Sequence, residues 1–106
     1  MKEIKMIEYR IKISGNKRKV PVMEFSDPQY DLAAELFLAE RGLIGKLIEF
    51  LSVDETEFGG NVFTLKKTDD EIKLYNNQTE EILTIPQADF TELLTAYYRE
   101  YKRLKK

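Results

Sequence analysis

The sequence predicts a single α+β domain over residues 1–106, a mainly antiparallel sheet packed against a C-terminal amphipathic helix and one or two central helices. Three observations predict it. Phe63 and Leu65 alternate with Val62, Thr64 and Lys66, and after the polar stretch Thr68-Asp69-Asp70-Glu71 the alternation resumes with Ile72 and Leu74 against Lys73 and Tyr75. Period-two alternation on both sides of a turn is a hairpin signature. Ile82-Leu83-Thr84-Ile85 follows the turn-forming Asn76-Asn77-Gln78-Thr79 and extends the hairpin into a meander. From Phe90 the period becomes helical, and Phe90, Leu93, Leu94, Tyr97, Tyr101 and Leu104 share one stripe. A two-layer domain buries a sheet face under such a stripe.

The remaining elements follow in chain order. Ile7, Tyr9, Ile11 and Ile13 alternate with Glu8, Arg10 and Lys12, as on a strand with one buried face. Ser14-Gly15-Asn16-Lys17 supplies turn residues, and an extended run resumes through Val20, Val22, Met23 and Phe25. Pro21 has no amide donor, so this second strand either lies at a sheet edge or begins after the proline. Ser26-Asp27-Pro28 reads as a helix start, with Asp27 capping and Pro28 at the first helical position. Tyr30, Ala33, Ala34, Phe37 and Leu38 then keep helical spacing, and Gly42 is the expected C-cap. Leu43, Ile44, Leu47, Ile48 and Leu51 predict a second short helix, although Leu47, Leu51 and Val53 around Glu49 also fit a strand. Asp54-Glu55-Thr56-Glu57 reads as an acidic loop closed by the turn Phe58-Gly59-Gly60-Asn61. The sheet is therefore expected from residues 5–13, 19–25, 61–67, 71–76 and 81–85, with helices beginning near Pro28 and Gln87. A homodimer would cover the sheet face that two helices leave wet.

The chain contains no Cys, His or Trp. Disulfide scaffolds, Cys or His zinc sites, thiol nucleophiles and every Ser-His-Asp arrangement are excluded. Any chemistry would rest on carboxylates, Lys, Tyr or an oxygen-bound metal. The one catalytic pattern is Glu71-Ile72-Lys73, which on a strand puts a carboxylate and an amine on the same face, as metal-dependent nucleases of the PD-(D/E)xK type require, with Asp54 as the upstream ligand. Glu3-Ile4-Lys5 has the same form, and the proline-aspartate context is missing. No catalytic, cofactor or metal residue is assigned, and the expectation is a protein that is not an enzyme and needs no cofactor.

Charge is unevenly placed. The net charge of −2 divides into +5 over residues 1–23, −7 over 24–60, −4 over 61–98 and +4 over 99–106. An acidic chain is a poor general nucleic-acid binder, so Lys17-Arg18-Lys19 reads as a solvated hairpin tip and Lys102-Arg103-Leu104-Lys105-Lys106 as a complement to the helix dipole. Tyr97 and Tyr101 are expected to pack with their hydroxyls at the rim of the stripe, and Tyr98 to cover a neighbouring element. The longest apolar run, Leu43 to Val53, is interrupted by Gly45, Lys46 and Glu49 and is far short of a membrane span, and the N-terminus lacks the apolar core of a secretory signal. A soluble cytoplasmic protein is expected.

The order Gly59-Gly60-Asn61-Val62-Phe63-Thr64-Leu65, Glu71-Ile72-Lys73-Leu74, Ile82-Leu83-Thr84-Ile85 and Asp89-Phe90-Thr91-Glu92-Leu93-Leu94 resembles the C-terminal half of small immunity proteins of bacterial toxin systems. The resemblance implies a cytoplasmic α+β protein that masks a toxin domain; it carries no residue roles across. Together with the acidic middle of the chain, it leads to the expectation of a non-catalytic protein-binding module with a basic partner. The expected partner-binding residues are Asp54, Glu55 and Glu57, with Phe58 either an apolar anchor among the carboxylates or a core residue beneath the Gly59-Gly60 turn. A metal-dependent nuclease or a nucleic-acid binder is the alternative.

Overall fold

The computed structural model describes residues 7–15 and 17–104. In chain order the elements are β1 (Tyr9–Ser14), β2 (Val20–Phe25), a 3-10 turn (Pro28–Tyr30), α1 (Asp31–Ala39), a second 3-10 turn (Arg41–Leu43), α2 (Ile44–Ser52), β3 (Glu57–Gly59), β4 (Phe63–Lys67), β5 (Glu71–Asn76), β6 (Ile82–Pro86) and α3 (Gln87–Leu104). All strand pairings are antiparallel. The α+β architecture thus has the expected composition, and the expected start of the first strand at residue 5 lies outside the described residues.

The strands form two sheets rather than one: a β1-β2 hairpin and a four-stranded meander in the order β3-β4-β5-β6. Pro21 explains why the hairpin ends where it does. Opposite Ile13 it has no N–H to exchange, so this pair is of the non-hydrogen-bonded kind and the Pro21 carbonyl points away from β1. That outward carbonyl accepts a 2.8 Å hydrogen bond from the Tyr97 hydroxyl of α3. A helix therefore occupies the edge at which a further strand would have docked.

Both sheets close on one core. Phe63, Leu65, Ile72, Leu74 and Ile85 from the meander, Met23 from the hairpin, Ala33, Leu36 and Phe37 from α1, Ile44, Leu47 and Phe50 from α2, and Phe90, Leu93, Leu94 and Tyr97 from α3 are all buried. Phe37 lies at its centre, with ring centroids 5.8 Å from Phe90 and 5.3 Å from Tyr97. The period-two and helical patterns read from the C-terminal half are realised: Ile72, Leu74 and Asn76 point inward on β5, while Glu71 and Lys73 are exposed. In α2 the buried Ile44, Leu47 and Phe50 recur at helical spacing, which decides the helix-or-strand alternative in favour of helix.

The Asp27 carboxylate accepts from the Gln29 amide at 3.0 Å, with Pro28 following, so the expected start signal is used, first by the 3-10 turn and then by α1. Gly42 is not the C-cap. The helix ends at Ala39, and Glu40 takes the cap position with its amide still bonded to the Leu36 carbonyl. Gly42 falls inside the following 3-10 turn because Glu40, fully buried, is drawn inward by bonds to the β3-β4 connection. Tyr97 also departs from expectation: its hydroxyl is not at the rim but is buried on Pro21. Tyr98 does cover a neighbour, since a Cβ at Gly45 of α2 would stand 3.5 Å from its hydroxyl.

Candidate functional site

The segment between α2 and β4 holds the expected binding residues, and its geometry begins with Lys67. On β4 this side chain reaches back to the end of α2, where its ammonium donates to the Phe50 carbonyl at 2.6 Å and the Val53 carbonyl at 2.5 Å. These are two of the last carbonyls of a helix, which lack intrahelical partners and favour a cation. The same ammonium lies 4.6 Å from the Phe50 ring centroid, within cation-π range. The Lys67 backbone amide donates to the Thr56 carbonyl at 2.7 Å, and β3 then pairs with β4 through Glu57 opposite Lys66 and Phe58 opposite Leu65. One residue thus fastens the acidic loop at both ends.

Asp54 and Glu55 between those fastenings, and Glu57 just beyond them at the start of β3, are exposed, and among the described residues none of the three belongs to an ion pair. Val53, 44% exposed, lies beside them. Asp54 and Asp69 of the β4-β5 turn both line a hollow of about 490 Å3, together with Lys67. Phe58 is half-buried, its ring 5.7 Å from Phe50. Adjacent strand residues point to opposite faces, so Phe58 turns toward the core while Glu57 turns to solvent. All three carboxylates are exposed, and Val53, at the end of α2, is the more accessible neighbouring apolar side chain than the half-buried Phe58.

Below this surface the β3-β4 connection is held by Glu40. One carboxylate oxygen accepts from the Asn61 amide and the other from the Val62 and Phe63 amides, each at 2.9 Å. Successive backbone N–H groups converging on one anion form a nest, here filled by the protein's own side chain. Gly60 is required by that packing, since a Cβ there would overlap the Glu40 carboxylate. Neither Glu40 nor Lys67 carried a sequence signal, because each acts on backbone far away in the chain. The short strand β3, read as loop and turn, has only Phe58 as an apolar residue and so no alternation to detect.

The other sequence candidates are placed as follows. Glu71 and Lys73 share the exposed outer face of β5, as the nuclease pattern requires. Among the described residues no group of three or more His, Cys, Asp or Glu side chains has a metal-binding arrangement. Lys17, Arg18 and Lys19 are exposed at the tip of the β1-β2 hairpin. In the last turns of α3, Arg103 pairs with Glu100 at 2.7 Å and Lys102 lies 5.1 Å from the Tyr98 ring centroid. Burial pushes the Tyr97 hydroxyl up to about 12, opposed by the positive charge of Arg41 and reinforced by Tyr101. No helix among the described residues is long and apolar enough to cross a membrane.

Compared with protein-family models, curated proteins and solved structures, the chain matches none of them.

Proposed function

We propose that the protein is a non-catalytic protein-binding module whose acidic loop, residues 54–57, recognises a basic partner. The observation that carries this reading is the fastening by Lys67, at Val53 and at Thr56, of the segment that bears exposed Asp54 and Glu55 and leads into exposed Glu57 on β3. A loop held in one geometry loses little conformational freedom on association, and a concentration of like charge attracts a partner of opposite sign from a distance. Val53 adds an exposed apolar side chain next to that charge, and half-buried Phe58 packs against the core. The resemblance over the C-terminal half suggests the partner class: a basic toxin domain, with this chain as the cytoplasmic immunity protein that masks it.

Affinity capture from an extract of the source cell tests the reading. The wild-type chain should retain a basic protein at low salt and release it as salt is raised. A variant carrying Asp54→Asn, Glu55→Gln and Glu57→Gln, with an unchanged circular dichroism spectrum, should fail to retain it. Equal retention by the folded triple variant would remove the loop from the interface. A toxin gene adjoining this one would support the immunity form.

A further inference from the structure

We infer that the outer edge of β1 is a second recognition element, which takes an added antiparallel strand from an acidic partner segment alternating apolar residues with carboxylates. The register supplies the first argument. Because Pro21 cannot donate, Ile13-Pro21 is a non-hydrogen-bonded pair, and so by parity are Ile11-Met23 and Tyr9-Phe25. The Ser26 amide, which donates to the Glu8 carbonyl at 3.2 Å, extends the hydrogen-bonded set through Arg10, Lys12 and Ser14. The N–H and C=O groups of Tyr9, Ile11 and Ile13 therefore point away from β2. Among the described residues no strand pairs with them. An edge of this kind is a template for one more strand.

The side chains supply the second argument. Tyr9, Ile11 and Ile13 share the face on which Pro21 and Met23 are buried, yet Tyr9 remains 39% and Ile13 38% exposed. Beside Tyr9 runs a hollow of about 380 Å3, lined on α3 by the short side chains of Ala88, Thr91, Thr95 and Ala96 and by the charged Glu92 and Arg99. The four short side chains leave room for the apolar side of an added strand, and Glu92 and Arg99 add one charge of each sign to its border, so the hollow itself favours neither sign.

Charge selects the occupant. The hairpin from residue 7 to 26 carries five Lys/Arg and two Glu, and Arg10 and Lys12 share the one carboxylate of Glu24, at 2.7 and 3.9 Å. A second copy of β1 is disfavoured. In each of the three antiparallel registers that set Ile11 opposite Tyr9, Ile11 or Ile13 of the copy, Arg10 or Lys12 meets a basic side chain, and like charges directly opposed destabilise a pair. A strand with Glu or Asp at those positions reverses the sign. Nucleic acid would satisfy the charge but not the alternating backbone donors and acceptors.

The inference rests on the protein-binding reading but uses no residue of the acidic loop, so either can fail without the other. The probe is a synthetic capped peptide alternating valine with glutamate, titrated into the isotope-labelled chain and followed by amide NMR. Slowed exchange is expected at Tyr9, Ile11 and Ile13 but not at Arg10 and Lys12, whose amides already bond β2. Ile13→Pro removes one outward donor and no β1-β2 bond, and should weaken the peptide by about tenfold. If that variant disturbs the hairpin, Arg10→Glu with Lys12→Glu decides instead, by shifting preference to a peptide alternating valine with lysine. Absence of the alternating protection, equal binding of both peptides by the wild-type chain, or the same protection arising without peptide as protein concentration rises would each overturn the inference.

Discussion

The Tyr97 hydroxyl donates to the Pro21 carbonyl at 2.8 Å, joining the C-terminal helix to the N-terminal hairpin across 76 positions of sequence. It is buried and ends the two-stranded sheet at the residue that has no donor of its own. Tyr97→Phe keeps the ring against Phe37 and leaves the carbonyl unpaired. The expected cost is about 1–3 kcal/mol in denaturant unfolding, with the hairpin amides losing protection first.

The same hydroxyl gives a signed pH dependence. Burial raises its pKa from 10.0 to about 12, so the folded state holds its proton where the unfolded state has lost it. The stabilisation is fully present below pH 10 and declines as pH rises through 12. Subtracting the unfolding free energies of Tyr97→Phe from those of the wild type should expose that decline, and a difference flat in pH over this window would contradict it.

Glu40 and Gly60 should be energetically coupled. Glu40→Ala abandons three amides at the β3-β4 connection and should cost about 3–5 kcal/mol. Gly60→Ala should also destabilise, because its methyl group overlaps the carboxylate. In the double variant that overlap is gone, so the costs should be less than additive by about 1 kcal/mol or more in a thermodynamic cycle.

Lys67→Met retains the stem of the side chain and deletes the bonds to Phe50 and Val53. It should destabilise by about 1–3 kcal/mol and raise amide exchange across residues 53–57 more than across β5. Uniform acceleration would mean that the fastening is not local. In the core, Phe63→Ala and Leu94→Ala, at 1% and 0% exposure, should each cost about 2–5 kcal/mol.

What was legible in the sequence followed from local periodicity. Phe63 to Ile85 announced the meander, Phe90 to Leu104 the helix, and Asp27-Pro28 the entry to α1, because each pattern is set by residues a few positions apart. What was not legible depended on distant partners. Gly42 looked like a helix stop, but the ending of α1 is tied to Glu40 turning toward amides some twenty residues on. Tyr97 looked like a rim tyrosine because nothing local reveals that Pro21 has an outward carbonyl to fill. At the candidate site, the exposure of Asp54 and Glu55 fits the loop read from the sequence, whereas Glu57 and Phe58 take their opposite orientations from β3, whose pairing with β4 no local pattern announces.

Zero-length carbodiimide cross-linking, applied to the chain in an extract of its source cell and read by mass spectrometry, tests the binding proposal most directly. It joins carboxylates only to amines in contact with them. Intermolecular cross-links from Asp54, Glu55 or Glu57 to lysines of one basic protein, lost at high salt, are expected. Cross-links to a partner that arise only from other carboxylates, such as Glu35 or Glu92, with the loop unmodified by any neighbour, would contradict it.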